Sequence, residues 1–197
     1  MSVPRETIDA LRRLAGMIIA ENSDQNLIAS STRNSIWDRH ILDSAQLLPF
    51  APNEHQSWLD VGTGAGFPGL VLAVMTQSMH ILVEPRRRRA EFLQRTAAAL
   101  GIAARVDVVQ QSVERFHGGP IGVITARAVM SLANILTATH HLANRSTIWL
   151  LHKGRGAQLE VDAAELMWNA KFEMLPSMTA ADASIVRVSE FCGKQIK

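Results

Sequence analysis

Apolar positions change their spacing along this chain near residue 57, and the change divides it into two parts. Over 6–19, Ile8, Leu11, Leu14, Ala15, Ile18 and Ile19 recur every three or four residues, which predicts an amphipathic helix. A second stretch, 32–48, sets Ile36, Trp37, His40, Ile41, Leu47 and Leu48 on or near one face, and Pro49 and Pro52 end it. These two helices are too short to enclose a core, so 1–52 is an N-terminal helical extension. From Ser57 onward, short apolar runs alternate with amphipathic ones. Strands are predicted over 58–61, 80–84, 106–110, 121–125 and 147–152. Helices are predicted over 68–76, 86–100, 131–142 and 157–170, with Gly101 just past the end of the second of these. Two short strands, 172–175 and 184–189, close the chain with no helix between them. Alternating strands and helices imply an α/β fold with a mostly parallel sheet covered on both faces. The last two strands, too close for a helical crossover, form a C-terminal antiparallel pair. With no repeat or linker in 197 residues, a single domain is expected over 1–197, its α/β core over 53–197.

Composition narrows the class. Apolar residues make up 47% and charged residues 19%, the latter below the roughly 25% of an average globular chain. That balance excludes a disordered tail protein. The longest apolar run, 67–75, falls far short of the ~20 residues that span a bilayer, so no membrane association is expected. No signal-peptide apolar region follows the first six residues. The one cysteine, Cys192, cannot form an internal disulfide, and a reducing cytoplasm is the expectation. No Cys/His/Asp spacing suggests a metal site. The sequence does not fix the oligomeric state, and a monomer is favoured.

Candidate chemistry begins at the turn after the first strand. Glycine there lets backbone approach a ligand where a Cβ would clash. Gly64-Ala-Gly66-Phe-Pro-Gly69 also satisfies GxGxxG, so a nicotinamide dehydrogenase has to be weighed. Glu84, ending the second strand, can accept hydrogen bonds from ribose hydroxyls, but both cofactor classes carry that ribose. Three features separate them. Asp60 precedes the glycines as Asp-Val-Gly-Thr-Gly-Ala-Gly, a form typical of S-adenosylmethionine sites. Glu114 lies in the loop after the third strand, where adenine contacts usually fall in methyltransferases. The closing antiparallel pair is the class I methyltransferase variant of the Rossmann-like sheet, and no substrate domain follows.

Asp60-Val-Gly-Thr-Gly-Ala-Gly-Phe-Pro-Gly-Leu70 and Leu82-Val-Glu-Pro-Arg-Arg-Arg-Arg-Ala-Glu-Phe-Leu93 resemble the bacterial 16S ribosomal RNA guanine-N7 methyltransferases, also called glucose-inhibited division protein B or methyltransferase G of the small subunit. Arg39-His40 with Asp43-Ser44, Val113-Glu114, Ala126-Arg-Ala128 and Lys153-Gly154 extend the resemblance from about Asn26 to Gly154. The resemblance implies S-adenosylmethionine as cofactor and 16S ribosomal RNA, or the small ribosomal subunit, as partner. By position it implies that Gly62 and Phe67 line the methionine and adenosine end of the cofactor, and Asp60, Gly64, Gly66, Glu84 and Arg127 complete the expected cofactor site. It further implies that Val113 and Glu114 hold the adenine and that Arg127 faces the active site. Ser112 stands where the family usually has arginine, Arg88 where it has lysine, and Pro85 where it has serine.

The residues agree with an N7 target. Guanine N7 carries no proton, so its methylation needs no general base, and positioning can supply most of the effect. No Asn/Asp-Pro-Pro-aromatic motif of amine methylation follows the fourth strand, where Thr125-Ala-Arg-Ala-Val129 stands instead. Cytosine C5 chemistry needs a cysteine nucleophile, and Cys192 lies in the terminal strand. Arg127, ending a central strand, faces the ligand crevice of an open α/β sheet and is the candidate catalytic residue. Arg86, Arg87, Arg88 and Arg89 open a helix, where the macrodipole disfavours cations, so the cluster suggests phosphate binding or cofactor-site support rather than a solvated surface. With Arg39, His40, Lys153 and Arg155 it supplies a basic rim for RNA. His40 has a core or capping role as its alternative. Trp58, Trp149 and Trp168 are expected to pack on the sheet. Two alternatives stay open: a methyltransferase of the same fold acting on a small molecule or protein, and a nucleotide-binding regulatory module without turnover.

Overall fold

A computed structural model of the chain describes residues 3–52 and 56–195. The expected junction between the helical extension and the core, at 52/53, adjoins 53–55, which lie outside the described residues. Seven strands form one sheet: β1 (Trp58–Val61), β2 (His80–Val83), β3 (Val106–Val109), β4 (Val123–Arg127), β5 (Ile148–Lys153), β6 (Trp168–Pro176) and β7 (Ser184–Lys194). Their order is β3-β2-β1-β4-β5-β7-β6. The first five are parallel, and β7 runs antiparallel to both β5 and β6. Chain order reverses direction between β1 and β4, the switch point beyond whose carboxyl ends open α/β sheets bind ligands. In register Val61 pairs with Val83 and with Ala126, and Arg127 pairs with His152. Gly62, Glu84, Arg127 and His152 therefore emerge at one edge.

Side chains alternate across the pleat and bury both faces. Leu59, Val61, Ile124, Ala126, Trp149 and Leu151 share a core with residues of α5 (Leu132–Thr139) and α6 (Ala157–Glu165). Opposite them, Leu82 and Val106 join residues of α1 (Arg5–Gln25), α3 (Gly69–Met75) and α4 (Arg87–Ala99). The N-terminal extension thus completes a core it could not enclose alone. Helix α4 ends as the spacing predicts: Gly101, at φ +72°, and Ile102 donate back to Ala98 and Ala97, closing a Schellman motif.

Four expectations need correction. The helix over 32–48 is instead a 3-10 segment (Ser30–Ser35), a π turn (Trp37–Leu42), the short α2 (Asp43–Ala45) and a 3-10 turn (Leu48–Phe50). These differing pitches break the 3.6-residue period, so Ile36, Ile41 and Leu47 are buried while Trp37, expected among them, is 39% exposed. The helix over 157–170 stops at Glu165, because Trp168 is buried beside Phe191 and starts β6. The fourth strand runs two residues later than expected, which makes Arg127 its last residue. The closing pair is longer than 172–175 and 184–189, and its register breaks between Asn169 and Lys171. Trp58, Trp149 and Trp168 pack against the sheet as expected.

Candidate functional site

The loop after β1 is built from backbone. Gly62 has φ +62° and Gly66 φ +95°, a region that L side chains rarely enter. At Gly66 an added Cβ would also lie 2.5 Å from Leu70 Cδ1. Glu84, buried at the end of β2, secures this loop: its carboxylate accepts the N–H of Gly64 at 3.0 Å and of Arg86 at 2.9 Å. Those bonds leave other lone pairs free on the carboxylate. Asp60 sits behind the loop. Its Oδ2 accepts the Gly69 N–H at 3.0 Å, where α3 starts, and its Oδ1 accepts the Thr125 hydroxyl at 2.8 Å. Burial pushes its pKa up to about 6, against the hydrogen bonds from Thr125 and Gly69.

A cavity of about 450 Å³ opens over the loop, bounded by Gly62, Gly64, Phe67, Glu84, Arg89 and Arg127. Its size falls in the range of small-ligand sites. Several residues expected there stand elsewhere. Asp60 and Gly66 shape the loop without lining the cavity. Val113 is buried in the core under α5 and Glu114 is exposed, and neither lines the cavity. Val129 limits the cavity at the sheet's reversal, its methyl carbons 3.1 Å from where a Cβ of Gly62 would be.

The basic residues also divide. Successive helical positions point about 100° apart, so the four arginines do not make one patch. Arg86 and Arg89 line the cavity, Arg87 pairs with Glu91 at 2.7 Å, and Arg88 donates to the Asp24 carbonyl at 3.1 Å. Lys153 is not a solvent-facing rim residue. It is buried, and its ammonium donates to the Met130 carbonyl and Glu160, both at 2.8 Å, because an unpaired buried cation is costly. Arg155 is exposed and paired with Asp182 at 2.7 Å.

Arg127, His40 and Ala128 line both this cavity and a second one of about 380 Å³. The π turn, a feature frequent at functional sites, brings His40 to Arg127. Arg127 donates to His40 Nδ1 at 2.8 Å, to the Arg39 carbonyl at 3.1 Å and to Asp43 Oδ2 at 3.2 Å, with Cζ 5.0 Å from the Phe67 ring centroid. Facing a guanidinium, Nδ1 of His40 can only accept. The proton is therefore on Nε2, which donates to Thr32 Oγ1 at 3.0 Å. Burial, and then the charge of Arg127, lower the His40 pKa to about 4. Its ring stacks on Phe67 at 4.9 Å.

Asp43 is the hub of the second cavity, and the reading of the sequence assigned it no role. Its Oδ1 accepts from Thr179 at 2.6 Å and Gln46 at 2.8 Å, and its backbone carbonyl accepts from His152 Nε2 at 2.7 Å. The signal that could have found it is its spacing, three residues after His40 on one helical face. No local pattern points to His152, Gln46 or Thr179.

With that geometry in place, the comparisons decide the family. The GidB family model, described as rRNA small subunit methyltransferase G, matches residues 7–186. This chain belongs to that family. A ribosomal RNA small subunit methyltransferase G of Rhizorhabdus wittichii is 45% identical over 190 residues, covering 95% of this chain and 88% of the relative. One from Methylobacterium nodulans is 40% identical over 200 residues, covering 98% and 93%. Among solved structures, a SAM-dependent methyltransferase from Aquifex aeolicus superposes with TM-score 0.61 at 13% identity, covering 78% of this chain and 92% of that one. The fibrillarin/Nop5p complex contains a chain of similar fold, TM-score 0.61 at 11% identity, covering 78% and 82%. The methyltransferase sheet expected from the sequence is thus the observed one. Among the described residues no helix is long and apolar enough to cross a membrane.

Proposed function

We propose that this family member transfers a methyl group from S-adenosylmethionine to N7 of a guanine in 16S ribosomal RNA. The observation that carries this reading is the family match over 7–186, falling on a chain whose glycine loop and buried acid open into a ligand-sized cavity. The cavity fits the cofactor in kind: bare glycine backbone permits close approach, and Glu84 retains acceptor capacity for ribose hydroxyls. Gly62, Gly64, Phe67 and Glu84 hold the cofactor, which supplies a methyl group on sulfonium. Val113 and Glu114, which do not line the cavity, remain the proposed adenine contacts.

This chain's own residues position the reactants. Arg127, held by three acceptors and by the Phe67 face, orients the reactants where the two cavities meet. No residue is required as a base, since N7 loses no proton. Arg39, Arg86, Arg89 and Arg155 supply positive charge for RNA phosphates, and Arg87 and Arg88 add to it from outside the cavity.

The test is incubation with labelled S-adenosylmethionine and unmethylated bacterial small subunits or their extracted RNA, followed by digestion and mass spectrometry. The expected product is 7-methylguanine in 16S RNA. Label in an exocyclic amine, a ribose or a protein overturns the N7 assignment. Calorimetry tests the cofactor site: Glu84→Ala should weaken binding by roughly 1.5–3 kcal/mol, as for hydrogen bonds to a charged acceptor.

A further inference from the structure

We propose that the second cavity receives the acceptor guanine, with the O6 and N7 edge of the base toward Arg127. This inference rests on the guanine-N7 reading and assigns the place of the base, which that reading leaves open. In an A-form helix N7 faces a deep, narrow groove that side chains cannot enter. Enzymes that act on a base in such surroundings take it out of the stack into a pocket. The second cavity is such a pocket. The ends of β4 and β5 form its floor, the π turn one wall, and the loop 177–183 between β6 and β7 the other. Its volume of about 380 Å³ lies within the usual range for small-ligand sites. Arg127, His40 and Ala128 line both cavities, so the two are adjacent and reactants held in them lie side by side along that shared edge.

The polar groups match guanine. Arg127 has five N–H donors, and the Arg39 carbonyl, Asp43 and His40 take three of them. A remaining donor can hold O6. The usual bidentate grip on O6 and N7 would occupy the nucleophile, so the contact is through O6 alone. His152, which lines the cavity, gives its Nε2 proton to the Asp43 carbonyl, and its buried Nδ1 has no hydrogen-bond partner among the described residues. A small shift of the ring that brings this orphan acceptor to the cavity surface would satisfy it with the N1–H or N2–H of guanine. Adenine would present an amine to Arg127 and a lone pair at N1, opposing both contacts.

Ala180 and Ala183 line this cavity and not the glycine-loop one, so Ala180→Trp and Ala183→Trp fill it selectively. S-adenosylmethionine affinity should stay within about twofold of wild type. The single-turnover methylation rate should fall at least about a hundredfold, the scale expected from misplacing a reacting atom by about 1 Å. Methylation close to the wild-type rate, in a variant that binds cofactor normally, overturns the inference. If the wild-type protein itself makes no 7-methylguanine, the guanine-N7 reading fails instead. Should the tryptophan variants not fold, methyl-labelled alanines in the wild-type protein decide by NMR. With S-adenosylhomocysteine bound, guanosine 5′-monophosphate should shift Ala180 and Ala183 and leave Ala65, which lines the glycine-loop cavity, in place. Shifts confined to Ala65, or none at the solubility limit of the nucleotide, overturn the inference.

Discussion

The glycine-loop cavity and the cavity beside it share a wall but are made of different material. The first draws most of its lining from two short segments, 62–67 and 84–89, and includes two glycines at positive φ, Gly62 and Gly64, on a loop held in place by Glu84. The second draws on the N-terminal turns, the ends of β4 and β5, and the loop 177–183, and the charged and polar side chains of Arg39, His40, Asp43, Arg127 and His152 line it. A backbone site is sensitive to an added Cβ. A side-chain site is sensitive to a missing or protonated group.

Glycine substitutions should break the two apart most strongly. Gly66→Ala meets both a positive φ and Leu70, so overpacking of about 1–3 kcal/mol adds to left-handed strain of about 1–2 kcal/mol. Gly154→Ala, in the wall of the second cavity, meets nothing within 4 Å and should lie within about 0.5 kcal/mol of wild type. Urea unfolding measures both, and equal destabilisation would erase the distinction.

Arg127→Ala comes next. It leaves Asp43 and His40 facing an empty position, which should cost about 1–3 kcal/mol of stability and slow methyl transfer by at least about tenfold. Arg127→Lys should not restore the rate, because a compact ammonium cannot replace a planar fork serving three acceptors. Full recovery in the lysine variant would reduce Arg127 to a point charge.

A pH titration separates the cavities by a smaller effect. The folded-state pKa of His40 is lowered from 6.5 to about 4, so the unfolded chain binds its proton first as pH falls. His40 therefore contributes stability that is present above pH 6.5 and lost as pH drops through 4. His80, lowered to about 3 by burial, acts in the same direction from outside both cavities. Asp60, raised to about 6, acts oppositely and loses stability as pH rises through that value. His40→Gln should reduce the acid-side slope by up to one proton while leaving the His80 contribution. An unchanged slope would mean that His40 is not held neutral by its surroundings.

The smallest effect concerns RNA. Arg89→Gln, at the cavity, should lower the salt dependence of RNA binding by about 0.7–0.9 log units for each phosphate it no longer neutralises. Arg87→Gln, whose side chain is already paired with Glu91, should lower it less. The reverse order would move the RNA path away from the cavity mouth.

How much was legible in the sequence follows the same division. Strand β1, the glycine turn and Glu84 are contiguous or nearly so, and their chemistry depends on backbone freedom and strand endings that local pattern reports. The sheet class was legible for the same reason, since the switch from helical to strand spacing is local. The mixed 3-10 and π path of 30–42 was not, because its apolar positions approximate a helical period and only packing on the core selects the pitch. Lys153 shows the limit for single residues: its type suggests an RNA contact, whereas Glu160 and the Met130 carbonyl make it an internal tie. By itself, the sequence determined the α/β sheet, the glycine loop with its acidic partner, and the candidacy of Arg127. Only the tertiary structure decided that His40 and Asp43 hold that arginine, and that His152 and Thr179 reach it through Asp43. Those partners lie up to 139 residues apart in the chain, from His40 to Thr179, and no local period encodes a contact made only when the ends of β4, β5 and the β6–β7 loop pack against the N-terminal turns.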